Sequence, residues 1–213
     1  MIKTFGRGLL DTNTYIVWDE STSVGMIVDC GNDPQQLLEY INENNIKIKY
    51  VVLTHGHFDH ADFVEEYARI FDGAKIICHQ DEKKVLYDID ANLSMWGKHP
   101  RAYDCDYTYV KEGDLLSLSS ADDEKSGKEC MSFKILHTPG HTPGCICLYC
   151  EKEKIMFTGD TLFRRSYGRT DFKYGNPQLM KHSLMRLLTM DEEIVFYPGH
   201  YAPSTIGDEG DCY

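Results

Sequence analysis

Within six residues, His55 to His60 of "THGHFDH", the chain carries three imidazoles and one carboxylate. His55 and His57 flank Gly56, so a loop at a strand end can turn both rings toward one point, while Asp59 and His60 face a second point nearby. Three more groups of the same chemistry stand in similar surroundings: His141 in "TPGHT", Asp160 in "FTGDT" and His200 in "YPGH", each bracketed by Gly, Pro or Thr. Four such ligands hold one divalent ion; seven imply two ions with a carboxylate bridging them. Paired ions about 3.5 to 4 Å apart share a water, lower its pKa toward neutrality and aim the bridging hydroxide at a carbonyl carbon, so no protein nucleophile is needed. A thiolate leaving group, with a free-thiol pKa of about 8.5, needs little help from an acid. Thioester hydrolysis therefore suits the set, with Asp59 also able to orient the hydroxide.

These residues must sit at element ends. "TYIVW" (14–18) and "GMIVDCG" (25–31) are dense in β-branched and aromatic residues around a polar turn, which predicts a hairpin. Asp33 and Pro34 are a cap and a first-turn proline before Leu37, Leu38 and Ile41 at helical spacing. "YVVLTH" is continuously apolar up to Thr54, as in a strand buried on both faces, and Phe63, Val64, Tyr67, Ala68 and Phe71 form the next helical face. The ligand cluster thus falls between strand and helix. "KIICH" (75–79) is a further strand, followed by a charged helical segment from Gln80 to about Tyr87. Residues 89–109 have no clean period and read either as a binding loop or as a packed surface excursion; 119–129 read as a solvated loop. Strands at 131–137, "CICLYC" and "IMFTGD" make a meander. After the Gly- and Arg-rich loop 159–176, Asn176 and Pro177 open a helix carrying Met180, Leu184, Leu187 and Leu188, and "EIVFYPGH" is a final strand. The class is α/β (α+β). Two face-to-face sheets with helices outside satisfy this order, as does a doubly wound sheet.

The chain has 213 residues, a 42% hydrophobic content and 34 Asp plus Glu against 22 Lys plus Arg, a net charge of −12. That is enough apolar material for one domain spanning 1–213, and a charge that repels nucleic acid and anionic membranes. The start lacks a secretory core and no run matches a membrane span, so a cytoplasmic protein with reduced thiols at its eight cysteines, Cys212 among them, is expected. Cys147 and Cys150 form a CxxC, but within a strand-like run and without a second pair, which favours small core residues over a metal or redox site.

"THGHFDH", "TPGHTPGC", "TGDTLF" and "PGH" together resemble, in order and context, the motifs of the metallo-β-lactamase fold superfamily over residues 12–209. The resemblance implies a four-layer αββα sandwich with the metals at one edge. It implies that His55, His57 and His141 hold the first metal, that Asp59, His60 and His200 hold the second, and that Asp160 bridges them. "TGDTLFRRSYGRTDF" and "PGHYAPSTIGDE" look most like a short form of the glyoxalase II-like hydrolases, whereas β-lactamases usually lack the histidine that here is His60. Two divalent ions are implied, zinc first, with iron or manganese equally compatible with these ligands, and a small-molecule thioester as substrate.

The glutathione thioesterases it resembles carry a helical C-terminal domain that binds much of the substrate, and this sequence ends on "PSTIGDEGDCY". Arg169 lies where such enzymes place a basic residue for a substrate carboxylate; it can equally brace its loop by pairing with Asp171. Tyr201 and Trp96 are further pocket candidates. His79, His99, His137 and His182 read as ordinary histidines. Persulfide dioxygenases share "GRTDF" and use one iron on two histidines and an aspartate, which makes them the second reading; a non-catalytic metal-binding scaffold is the third. A nuclease would want a basic groove, and a flavodiiron carrier a glutamate in the motif and a flavin domain.

Overall fold

Side chains along the strand Thr14–Asp19 take turns: Tyr15 and Val17 enter one apolar layer, Ile16 and Trp18 another. The period of two continues through Val24–Val28, where Val24, Met26 and Val28 face the first layer and Ile27 the second. A sheet apolar on both faces needs a cover on each. The structure, a computed structural model that describes residues 1–6 and 8–210, supplies both covers.

The first sheet runs in the order β1 (Ile2–Phe5), β2 (Thr14–Asp19), β3 (Val24–Val28), β4 (Lys47–Val52), β5 (Lys75–His79) and β6 (Tyr107–Val110), antiparallel up to β3 and parallel beyond it. Strands β7 (Leu115–Ser117), β8 (Ser132–His137), β9 (Ile146–Cys150) and β10 (Ile155–Gly159) form an antiparallel meander in the second sheet. A hairpin, β11 (Leu162–Phe163) with β12 (Ser166–Tyr167), precedes β13 (Val195–Pro198), which lies parallel beside β10, and β14 (Ser204–Thr205) closes that edge.

Helix α1 (Gln35–Glu43) covers the first sheet through Leu37 and Ile41. The short α2 (Phe58–Ala61) leads into α3 (Val64–Ile70), whose Val64 and Tyr67 join the same layer, and α4 (Lys83–Leu86) adds Leu86. Between the sheets lie Tyr15, Met26, Val52, Phe133, Leu148 and Phe157. After α5 (Ala121–Ser126), α6 (Pro177–Leu188) packs Met180, Leu184 and Leu187 on the outer face of the second sheet, joined by Ile206 of α7 (Ile206–Glu209). The layers are therefore α, β, β, α, which rules out the doubly wound sheet. Asn176 caps α6 as its sequence predicts, its Oδ1 accepting from Leu179 N at 3.0 Å.

The solvated loop expected at 119–129 is instead largely helix α5. Ser120 and Asp123 form a reciprocal capping box, and Gly127 ends the helix in the left-handed region at φ 70°. Polarity all round hid the period, and local caps replaced the missing apolar face. The irregular stretch 89–109 holds a short 3₁₀ turn at Ser94–Trp96 and the start of β6.

Cys147 faces α6 while Cys150 faces the other sheet, so the two thiols of the CxxC point to opposite sides of β9 and cannot pair. Burial pushes Cys147 up to about 11. All seven described cysteines are free thiols; Cys212 lies outside the described residues. Among the described residues no helix is long and apolar enough to cross a membrane.

Candidate metal centre

Both sheets send their strand ends to one edge. Past β4 the chain passes through Leu53 and Thr54 to His55 and His57, and His57 starts α2, which presents Asp59 and His60. The β8–β9 loop brings His141, the end of β10 brings Asp160 and the end of β13 brings His200. The structure gathers all seven of these residues. Ligand atoms of His55, His57 and His141 lie within 4.8 Å of one another, as do those of Asp59, His60 and His200; a third overlapping group joins His55, His60 and Asp160. Asp160 Oδ2 stands 3.5 Å from His141 Nε2 and 3.5 Å from His200 Nε2, between the two clusters.

Ring orientation comes from behind the ligands. His60 Nδ1 donates to Asp29 Oδ2 at 2.9 Å, and Thr54 Oγ1 donates to the same oxygen at 2.9 Å. The Thr54 oxygen in turn accepts from His55 Nδ1 at 3.2 Å. Asp29 thus orients one imidazole of each cluster, turning both Nε2 atoms inward. His141 Nδ1 donates to Arg169 O at 2.6 Å, and Thr12 Oγ1 donates to Asp59 Oδ2 at 2.8 Å. Asp29→Ala is expected to weaken metal binding about 10- to 100-fold, as read by competition with a chromogenic chelator; unchanged affinity would remove Asp29 from this role.

Four converging atoms, His55 Nε2, His57 Nε2, His141 Nε2 and Asp160 Oδ1, are buried without a hydrogen bond. Buried polar atoms in folded proteins are almost always paired, and one cation per cluster would satisfy this set. The donors, imidazole and carboxylate with no thiolate, fit zinc, iron or manganese alike.

Charge is distributed unevenly. Burial, reinforced by the neighbouring imidazoles, holds His55 and His57 well below the ordinary histidine range, and burial also lowers His141. Burial would depress His60 too, but the carboxylates of Asp59, Asp29 and Asp160 overcome it and hold that ring well above. His200 is carried up to about 9 against burial by hydrogen bonds to Asp160 and Asp59. Asp160 lies well below the usual carboxylate range because His60 and His200 outweigh its desolvation.

One acid that sequence reasoning left in a charged helical segment holds the first cluster's loops. Glu82 is fully buried: Oε2 accepts from Gly56 N at 2.7 Å, while Oε1 accepts from Gly144 N at 2.7 Å and from Thr142 Oγ1 at 2.5 Å. It ties the turn between His55 and His57 to the loop of His141. A Cβ on Gly144 would stand 2.7 Å from Glu82 N, so the clamp requires that glycine. A Cβ on Gly199 would likewise fall on Asp160 Oδ1 and His60 Cε1, which accounts for the glycine of "PGH".

Arg169 and Tyr201 line a cavity of about 360 Å³ at the centre, together with Trp96 and Phe172. Of the two expectations for Arg169, the structure forms the brace: Nε and Nη2 each meet Asp171 at 2.6 Å. His79 and His137 stack at 4.0 Å and make a further ligand-type group with Asp81. There His79 Nδ1 accepts from Asp81 N at 3.2 Å and His137 Nε2 donates to Pro143 O at 2.9 Å, so both rings have protein partners.

The sequence pattern of the metallo-beta-lactamase superfamily matches residues 7–200. The hydroxyacylglutathione hydrolase GloC of Haemophilus influenzae (strain Rd) is 32% identical over 200 residues, 92% of this chain and 89% of that protein. Among solved structures, the BLEG-1 B3 metallo-beta-lactamase superposes with a TM-score of 0.86 at 29% identity, covering 99% of this chain and 97% of that one. TTHA1623 in a di-iron-bound form superposes with a TM-score of 0.82 at 28% identity over 97% and 96%.

Proposed function

The chain belongs to the metallo-beta-lactamase superfamily, and on that premise we propose that it is a binuclear metal-dependent hydrolase of thioesters or related esters, acting as a single domain over residues 1–213. The observation that carries this reading is the pair of ligand-type clusters with Asp160 between them and four buried donor atoms that make no hydrogen bond. The name of the GloC relative supports the thioester class.

His55, His57 and His141 would hold one ion, Asp59, His60 and His200 the other, and Asp160 both; zinc is the first choice, with iron or manganese as alternatives. Bound ions would lower the pKa of a shared water and polarise the substrate carbonyl. Asp59, fixed by the Thr12 hydroxyl and lining the cavity, accepts a hydrogen bond from the attacking water and sets its direction. Asp29, buried behind His55 and His60, keeps both rings from turning. Phe172, edge-on to His57 at 5.6 Å, and Phe163, edge-on to His200 at 5.8 Å, limit water at the two flanks. The water oxygen bonds to the acyl carbon as it gives up a proton, the carbon–sulfur bond breaks, and the thiolate leaves with the electron pair and takes up that proton, giving the free acid and the thiol.

The second cluster supports this reading over a mononuclear iron persulfide dioxygenase, and the cavity over a non-catalytic scaffold. The test is thioester hydrolysis before and after chelation. Activity lost with chelator and restored by divalent ions is expected; hydrolysis indifferent to chelation, or oxygen consumption with a persulfide and no hydrolysis, would overturn it.

A further inference from the structure

Two aromatic walls run from the mouth of the cavity down to the clusters. On one side Trp96 meets Phe172 edge-on at 5.4 Å, and Phe172 meets His57. On the other, Tyr201 meets Phe163 at 5.5 Å, and Phe163 meets His200. At the mouth, Trp96, Leu10 and Tyr201 are 62%, 66% and 70% exposed, an apolar rim around a site whose floor is charged. Solvated apolar side chains converging on one mouth mark a binding surface.

The backbone has been bent to build this rim. Leu10, Leu93 and Tyr201 all line the cavity and all hold a left-handed conformation, at φ 53°, 62° and 68°. Bulky residues rarely adopt it, and such strain concentrates at ligand sites. At Tyr201 the bend is held by Asn13 Nδ2, which donates to the Tyr201 carbonyl at 2.9 Å.

Away from the metal-ligand floor, the described residues that line the cavity offer no unpaired Lys or Arg. Arg169 is the one Lys or Arg among its lining residues, and its guanidinium is matched to the Asp171 carboxylate and lies over the Phe172 ring at 4.2 Å. Lys98 lines a different cavity, with Leu9, Phe63 and Tyr103. An anionic group reaching beyond the metal-ligand floor would enter an acidic chain, net charge −12, where the one lining guanidinium among the described residues is already paired.

We propose that the cavity selects thioesters whose acyl and thiol parts are both uncharged and apolar, in preference to those of an anionic thiol such as glutathione. This rests on the thioester hydrolase reading above. Trp96 and Tyr201 grip the two arms, and the pairing of Arg169 with Asp171 is a specificity element that withholds the positive charge.

The test is calorimetric binding of non-hydrolysable thioethers to the metal-loaded protein: S-propyl to S-hexyl N-acetylcysteamine, which is uncharged, and S-hexylglutathione, which carries two carboxylates. Affinity for the uncharged series is expected to rise up to about fourfold per methylene, with S-hexylglutathione bound at least roughly tenfold more weakly than its uncharged counterpart. Trp96→Ala should flatten the chain-length dependence, and Asp171→Asn, by freeing Arg169, should improve glutathione binding selectively. Equal or tighter binding of S-hexylglutathione, a dependence unchanged in W96A, or no binding of either series would overturn the proposal. Turnover of the matching thioesters separates the two readings. Selective binding without hydrolysis sinks the hydrolase alone, and faster, tighter handling of the glutathione thioester sinks the selectivity alone.

Discussion

Asp160→Asn is expected to reduce tightly bound divalent metal from two ions per chain to one and to slow thioester hydrolysis on the order of 10³-fold. The side chain stands between the clusters, with Oδ2 3.5 Å from both His141 Nε2 and His200 Nε2 and Oδ1 3.3 Å from His60 Nε2. An amide removes the charge that draws two cations together and turns an NH₂ toward atoms that must stay lone-pair donors. Metal content with turnover, alongside a far-ultraviolet spectrum to show that the fold is kept, checks this. Wild-type metal content and rate would show that Asp160 bridges nothing.

The second large effect lies outside the ligands. Glu82→Ala leaves three buried donors, Gly56 N, Gly144 N and Thr142 Oγ1, without an acceptor. At roughly 1 to 3 kcal/mol for each orphaned group, the loss is on the order of 3 to 9 kcal/mol, a large part of a domain's ~5 to 15 kcal/mol. The ligand loops lose their tie as well, so affinity at the first cluster should fall about 10- to 100-fold.

Burial raises the Glu82 carboxyl to about 7, against the three hydrogen bonds that favour its charged form. The folded state therefore holds this proton more tightly than the unfolded chain does, and the group's contribution to stability falls as pH rises from 4.5 to 7. Glu82→Gln cannot titrate, so the gap between wild type and E82Q in urea midpoint should be wider at about pH 5 than at about pH 8. A gap independent of pH would contradict the assignment.

The gathering of seven ligand-type residues was legible because they sit in short, Gly- and Pro-bracketed motifs at strand ends, and the family resemblance implied how they divide into two groups. The residues that orient them were not. Glu82 stands in "HQDEKK", a run that looks like any solvated helix face, and its partners Gly56 and Gly144 are 26 and 62 positions away. Asp29 looked like the polar end of the strand "GMIVDCG"; its link to His60, 31 positions on, exists only once β3 and β4 pair. The αββα layering was implied by the family resemblance, and the element order alone left a doubly wound sheet open; the four-residue β1 and the three-residue β7 were too short to show a period. Helix α5 was missed for the opposite reason, since its signal is a cap rather than an apolar stripe.

The most direct measurement of the central claim is the number of metal ions per chain in protein purified from medium supplying zinc, iron and manganese, counted by elemental analysis. Two clusters sharing Asp160 predict about two ions per chain, whichever element is bound. One ion per chain, or none after reconstitution, would contradict the binuclear centre.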